Sequence, residues 1–147
     1  MDRLKQRKFQ NAQVQVLELN ISNYSVISQW QIWNNDYAFA YPSLATNGNG
    51  EVGVSLAWGG RSFYGNNAVG ILGDFIVWYP ELSDTDIPAR FGDYFNVARN
   101  TPNSLLFDAS GYAVLKNAPP ATGARFDPYY IQFGRDSVVN GGSAGPK

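Results

Sequence analysis

The chain has 147 residues, a formal net charge of −1, and neither cysteine nor histidine. Its length fits one domain, and its 44% hydrophobic content supplies a core and excludes disorder over most of the chain. The missing cysteine and histidine exclude disulfides, thiolate or imidazole metal sites and Ser-His-Asp catalysis. The near balance of 11 basic and 12 acidic residues gives no field that would attract nucleic acid.

Strand patterns follow one another along the whole chain. Residues 51–58 alternate with period two, with Val52, Val54, Leu56 and Trp58 on one face, which predicts a half-buried strand. The apolar stretch over residues 69–79, which Gly73 and Asp74 interrupt, predicts a strand with a bulge or two short strands. The other predicted strands are rich in β-branched and aromatic residues and cover 14–19, 26–33, 93–98, 104–108, 112–115 and 130–133. No segment shows sustained helical periodicity, so we predict an all-β fold with antiparallel sheets.

Turn-forming residues separate these strands. Asn47-Gly48-Asn49-Gly50 holds two Asn-Gly pairs between apolar segments, which is the strongest short hairpin signal. Further turns are predicted at 59–60, 65–67, 83–86, 101–103, 109–111 and 117–123. We predict one all-β domain or propeller segment over residues 1–136 and a flexible tail over 137–147.

Two features bear on membranes and export. No apolar run approaches the roughly 20 residues of a membrane-spanning helix, so we expect no membrane span. The first ten residues are basic, but no apolar segment follows them, so we predict no signal peptide in this chain.

A weak internal repeat relates two parts of the chain. Leu44–Thr46, a turn and an apolar strand resemble Asn96–Ala98, a turn and residues 105–108, with an offset of about fifty residues. An offset of this length is typical of propeller blades.

Two motifs resemble sialidase-like β-propeller proteins, the Asp-box family. Tyr41–Val52 resembles their inner-strand hairpin, and Arg90-Phe91-Gly92-Asp93-Tyr94 resembles a segment that starts a later blade. The resemblance implies a partial propeller of two to three four-stranded blades, and the alternative is a small β-sandwich. It also implies an extracellular or envelope location for the full-length parent. The Asp-box itself is absent, since Gly48 stands where its Asp belongs, and the chain is too short for six blades.

The same resemblance suggests a catalytic site at Arg90, Asp93 and Tyr94. Arg90 would bind an anionic sugar carboxylate, Asp93 would act as acid or base, and Tyr94 would stack on the sugar or serve as nucleophile. The alternative is structural: Arg90 and Asp93 pair across a tight turn, and Tyr94 begins a core strand.

Several other side chains are candidates for ligand or metal binding. Trp33, Tyr37 and Tyr64 lie beside polar turns, so their rings are candidates for stacking on a carbohydrate or a protein partner. Asp84 and Asp86 form an acidic cluster that would suit calcium, although turn-forming Asp explains the spacing equally well. Apart from this calcium, no cofactor is expected.

The function predicted from sequence is a non-catalytic binding or structural segment of a sialidase-like β-propeller protein. The alternatives are a fragment of a glycoside hydrolase and a truncated product without independent activity. Because two or three blades leave sheet edges unpaired, we also predict self-association or a partner chain.

Overall fold

The computed structural model describes residues 10–74, 79, 81–86, 91–116 and 123–139. The described chain consists almost entirely of strands, in the order β1 (Val14–Leu19), β2 (Val26–Ile32), β3 (Ala38–Thr46), β4 (Val52–Gly60), β5 (Phe63–Ile71), β6 (Asn96–Arg99), β7 (Phe107–Lys116) and β8 (Ala124–Phe133), followed by one helical turn, α1 (Asp136–Val139). This part of the chain contains no helix long and apolar enough to cross a membrane.

The strands form three small sheets, each made of consecutive antiparallel strands. Sheet A is β1-β2, sheet B is β3-β4-β5 and sheet C is β6-β7-β8. The prediction of an all-β fold with antiparallel sheets is therefore confirmed. In the described residues the sheets hold two or three strands rather than four and form no closed barrel, an arrangement that fits a partial propeller or a sandwich-like stack.

The three sheets are stacked with sheet B in the middle. One face of sheet B packs Val54, Leu56 and Trp58 against Val14 and Val16 of sheet A. Its other face packs Val69 and Ile71 of β5 against a cluster on sheet C that includes Val97, Phe107 and Ile131. Sheet B is thus covered on both faces, and the half-buried strand predicted at 51–58 is buried on both sides.

Small residues allow sheet C to approach β4 closely. A Cβ atom on Gly53 would lie 2.6 Å from the ring of Phe107, which is fully buried between the sheets. The glycine therefore leaves the space that this ring occupies.

The predicted hairpin at Asn47–Gly50 is confirmed, but two predicted turns are wrong. Residues 65–67 lie within β5, and residues 109–111 lie within β7. A Cβ atom on Gly111 would lie 2.1 Å from Oδ1 of Asn67. These turn-forming residues occur in strands because sheets B and C meet there. Gly111 has no side chain and so leaves room for the buried amide of Asn67 opposite it.

The fully buried Asn67 is held by hydrogen bonds on both sides of its amide. Its Nδ2 donates to Ser55 Oγ at 3.0 Å and to the carbonyl of Leu56 at 3.1 Å. Its Oδ1 accepts from the hydroxyl of Tyr129 at 3.3 Å, and burial raises the pKa of that tyrosine. The amide thus joins sheet B to sheet C at a point where the sequence pattern predicts a turn.

The first strands of sheets B and C, β3 and β6, repeat one another with an offset of 53 residues. The segment Tyr41–Asn47 matches Tyr94–Asn100 as Tyr-x-x-aliphatic-Ala-x-Asn, one residue out of step with the alignment predicted from sequence. Both tyrosines adopt the left-handed conformation, with φ of 52° and 71°, which is rare for a bulky residue. Agreement in both sequence and strained backbone indicates a true structural repeat.

An asparagine directly follows the first strand of each sheet and organises the hairpin there. Its side-chain oxygen accepts from a backbone N–H two or three residues later, at 2.8 Å for Asn20 and 3.0 Å for both Asn47 and Asn100. Such Asx turns replace the hydrogen bonds that the chain loses where the strand ends.

Candidate functional site

An aromatic groove of about 800 Å³ opens between sheets A and B. Its aromatic residues come from four segments: Trp30 and Trp33 at the end of β2, Tyr37 and Phe39 at the start of β3, Trp58 on β4, and Tyr79. The volume lies within the range of small-molecule sites, and such sites are mostly apolar with a few polar groups.

Trp58 lies at the centre of the aromatic contacts. Its ring centroid is 5.0 Å from that of Tyr37, 5.3 Å from that of Phe63 and 5.4 Å from that of Tyr79, all in tilted arrangements. Phe39 packs edge-on against Tyr37 at 5.4 Å. These contacts hold the rings in fixed positions, so the groove walls are preorganised.

One buried polar atom of a groove residue has no hydrogen-bond partner among the described residues. Trp58 is only 7% exposed, and its Nε1–H has no hydrogen-bond partner among the described residues. Buried donors are nearly always satisfied, because an unsatisfied one costs about 1–3 kcal/mol. Gln13 Oε1 is the other such buried atom that the structure shows, and it does not line the groove.

A carboxylate lies at one end of the aromatic groove. Asp74 accepts a hydrogen bond at 2.8 Å from Arg135, which also binds Glu51 at 2.6 Å. The hydrogen bond from Arg135, helped by one from Asn47, lowers the pKa of Glu51, and the bonds to both carboxylates raise the pKa of Arg135. Arg135 is thus committed to two acidic partners.

The aromatic groove contains two of the three side chains predicted for ligand binding. Trp33 and Tyr37 line it, whereas Tyr64 lies on β5 outside it. Trp58 was not predicted as a site residue, because its place in an alternating strand indicates only core packing. Nothing in the sequence indicates that its N–H lacks a hydrogen-bond partner.

Asp93 and Tyr94, two of the three predicted catalytic residues, lie on the loop before β6. Arg90 is outside the described residues. Asp93 and Tyr94 are exposed to solvent, and their neighbour Gly92 donates its backbone N–H to the hydroxyl of Tyr112 at 2.9 Å. The structure therefore places Tyr94 on the surface and not in a core strand, and the catalytic role of the three residues stays a prediction.

The loop before β6 also affects the pKa of the Tyr112 hydroxyl. Burial raises its pKa, and the negative charge of Asp93 adds to the effect. Its ring packs against Phe91 and Phe95, which the same loop points inward. The loop is thus anchored by its aromatic residues and exposes its polar ones.

Asp108 lies on the face of sheet C that points away from sheet B. It accepts hydrogen bonds from Asn100 Nδ2 at 2.8 and 2.9 Å, from the Tyr130 hydroxyl, and from Gln132 at 3.4 Å. Desolvation raises the pKa of Asp108, but these donors outweigh it and lower the pKa overall. The carboxylate therefore organises a polar cluster at the end of this face.

The acidic pair predicted to bind calcium has a structural contact. Asp84 Oδ1 accepts the backbone N–H of Lys116 at 2.7 Å, and the Asp86 side chain is exposed. Within the described ranges, no three acidic side chains come together in a metal-binding group. Calcium binding at Asp84 and Asp86 stays a prediction.

No family model, no curated protein and no solved structure matches this chain. Evidence about the function of the chain therefore comes from its own structure. The most informative features are the aromatic groove and the repeated first strands of sheets B and C.

Proposed function

We propose that the chain is a non-catalytic structural and binding segment of a sialidase-like β-propeller protein, and that sheet C docks a further sheet of the same repeat. The observation that supports it is the 53-residue repeat of the first strands of sheets B and C, over Tyr41–Asn47 and Tyr94–Asn100. A repeat unit buries its faces only by stacking on neighbours, so the repeat predicts where a neighbour belongs.

The covered face of sheet B identifies the equivalent face of sheet C. Ser43 on β3 donates to Asn96 Oδ1 at 3.1 Å and accepts from the backbone N–H of Val97 at 3.2 Å. The repeat places Asn96 itself at the position of Ser43, and Asn96 is exposed. The face that carries Asn96 in sheet C corresponds to the face of sheet B that sheet C covers.

The tyrosines of the repeat support the same pairing. The ring of Tyr41 fills the space over Gly92, where a Cβ atom would lie 2.1 Å from a ring carbon. Its counterpart Tyr94 is 88% exposed. In the proposed assembly, Tyr94 covers the next sheet as Tyr41 covers the loop before sheet C.

The outer face of sheet C is the face of β7 and β8 that carries Ser110, Phe126 and Tyr130. Phe126 is 51% exposed and Tyr130 is 66% exposed, and Tyr130 lies directly opposite Ser110 in the register. Tyr112 on the same face is covered by Phe91 and Phe95, so Phe126 and Tyr130 form its exposed part. Exposed aromatic side chains are typical of protein contact surfaces.

The test measures association of the purified chain by sedimentation velocity over a wide concentration range. We expect the mass to rise with concentration as a second copy occupies the outer face. Phe126→Asp and Ser110→Lys place charges on this face and should weaken association at least tenfold. Tyr24→Asp is the matched control, because Tyr24 is an exposed tyrosine on the turn between β1 and β2.

Two results would contradict the proposal. A well-folded chain that stays monomeric at all concentrations, with one cooperative melting transition, would favour a self-contained sandwich. Equal weakening by Tyr24→Asp and Phe126→Asp would mean that association uses another surface.

A further inference from the structure

We infer that the outer face of sheet A docks on the outer face of sheet C in a second copy, so that copies associate head to tail. The outer face of sheet A carries Leu17 and Leu19 on β1 and their partners Gln29 and Val26 on β2. The face ends at the last of these pairs, so the turn that carries Tyr24 lies beyond it. The inference rests on the proposed function and names the surface that occupies the sheet C face.

One aliphatic position in the first strand of each sheet shows which way that sheet faces. Leu17, Leu44 and Val97 each lie three residues before the asparagine that follows the first strand. Leu44 pairs with Val54, so it lies on the face of sheet B that points toward sheet A. Val97 packs on sheet B in the same core cluster as Val69. In sheets B and C this position therefore points toward the preceding sheet.

The same position in sheet A points to solvent. Val14 and Val16 pack against sheet B, and the alternation of a strand places Leu17 on the opposite face. Leu17 is 50% exposed and Leu19 is 46% exposed, whereas Val97 at the equivalent position of sheet C is buried. The outer face of sheet A thus corresponds to the face of sheet C that sheet B covers.

The stack of sheets is therefore directional, with unlike faces at its two ends. The outer face of sheet C corresponds to the face of sheet B that sheet C covers, and the outer face of sheet A corresponds to the face that covers it. Each copy thus carries both halves of the contact between sheets B and C, at opposite ends of the stack. Contacts between unlike faces join copies head to tail, into a ring or an open series.

The outer face of sheet A carries no charge at its strand positions, which are Gln15, Leu17, Leu19, Val26, Gln29 and Gln31. Glu18 lies on the opposite face, where it accepts a hydrogen bond from Ser28. An uncharged face can be buried without the cost of desolvating an ion, and its aliphatic groups suit the exposed rings of Phe126 and Tyr130. Asp108, at the end of the sheet C face, already accepts hydrogen bonds within its own sheet.

The test combines two variants that each lose one face. Leu17→Asp places a charge on the outer face of sheet A, and Phe126→Asp places one on the outer face of sheet C. In sedimentation velocity, each variant alone should associate about tenfold more weakly than the wild type, or weaker still. Their equimolar mixture should form dimers of one copy of each variant and nothing larger, because that pair retains one intact interface.

Two controls accompany these variants. Tyr64→Asp should associate as the wild type does, because Tyr64 is 43% exposed on β5 of sheet B and lies on neither outer face. Circular dichroism shows whether each variant is folded. Gln29→Lys charges the position opposite Leu17 and takes the place of Leu17→Asp if that variant does not fold.

A mixture that associates when neither variant does so alone supports the inference. The inference is overturned, while the proposed function stands, if Leu17→Asp alone associates as tightly as the wild type and Phe126→Asp does not, because two sheet C faces then pair with each other. A mixture as monomeric as its separate components, or equal weakening by Tyr64→Asp, also overturns it. A wild-type chain that never associates overturns the proposed function and the inference with it.

Discussion

Replacing Gly53 with alanine tests the packing of sheet B against sheet C. The added Cβ would lie 2.6, 2.7 and 2.9 Å from three carbon atoms of the Phe107 ring. Non-bonded carbons prefer about 3.5–4.0 Å, so the ring must shift by about 1 Å. Phe107 is fully buried and stacks on Phe133 with ring centroids 5.2 Å apart, so it has little room to move.

Overpacking of this kind costs about 1–3 kcal/mol, which lowers the melting temperature by about 3–10 °C for a chain of this size. Urea denaturation measures the change, and the slope of the transition should stay the same because one methyl group hardly alters the surface exposed on unfolding. The replacement Phe107→Leu opens space for the new methyl group. The double variant should therefore lose about 0.5–3 kcal/mol less than the two single variants together.

Two outcomes would refute this account of the interface. A Gly53→Ala protein as stable as the wild type would show that Phe107 has room for a methyl group. Strict additivity in the double-variant cycle would show that the two positions do not touch.

Three further predictions test the ion pairs, the buried amide and the catalytic alternative. The lowered pKa of Glu51 makes it stabilising above the ordinary glutamate pKa of about 4.3, and this contribution is lost as the pH falls through its folded pKa. Arg135→Met should therefore reduce stability at pH 7 more than at pH 3 in urea titrations, and an equal loss at both pH values would contradict the role of the pair. Tyr129→Phe leaves Oδ1 of Asn67 without that donor and should cost about 0.5–1.5 kcal/mol, with Asn67→Ala costing more, and the reverse order by calorimetry would show that the amide is not the centre of the network. Fluorogenic sialosides and neutral glycosides should not be hydrolysed by the chain, and turnover that Asp93→Asn abolishes would instead support the glycosidase alternative.

Local sequence patterns predict β1, β2 and β4 well, because alternation and Asn-Gly turns act over a few residues. The strand predicted at 69–79 overlaps β5 only at residues 69–71, and of β8 only residues 130–133 were predicted. The bounds of β1 agree with the prediction, and β2 ends one residue before it. The hairpin between β3 and β4 also follows from its turn residues alone. The sequence does not predict contacts between sheets, which explains why Gly111 and Asn67 indicate turns and yet lie in strands.

The candidate site is less predictable for the same reason. Trp33 and Tyr37 stand out because they lie beside polar residues, and both line the aromatic groove. Trp58 fits the core pattern of β4 equally well whether its N–H is satisfied or not. The partner of a buried donor depends on distant segments, so only the folded chain reveals that this donor is unsatisfied.

The middle position of sheet B has a consequence for how the molecule opens. Its strands are shielded on both sides, whereas each outer sheet has one face toward solvent. Amide hydrogen exchange should therefore proceed from the two outer layers inward, with β4 the slowest to exchange. Loss of either outer layer would expose one whole face of β4 at once, so local opening at an end and global unfolding should be closely linked in this chain.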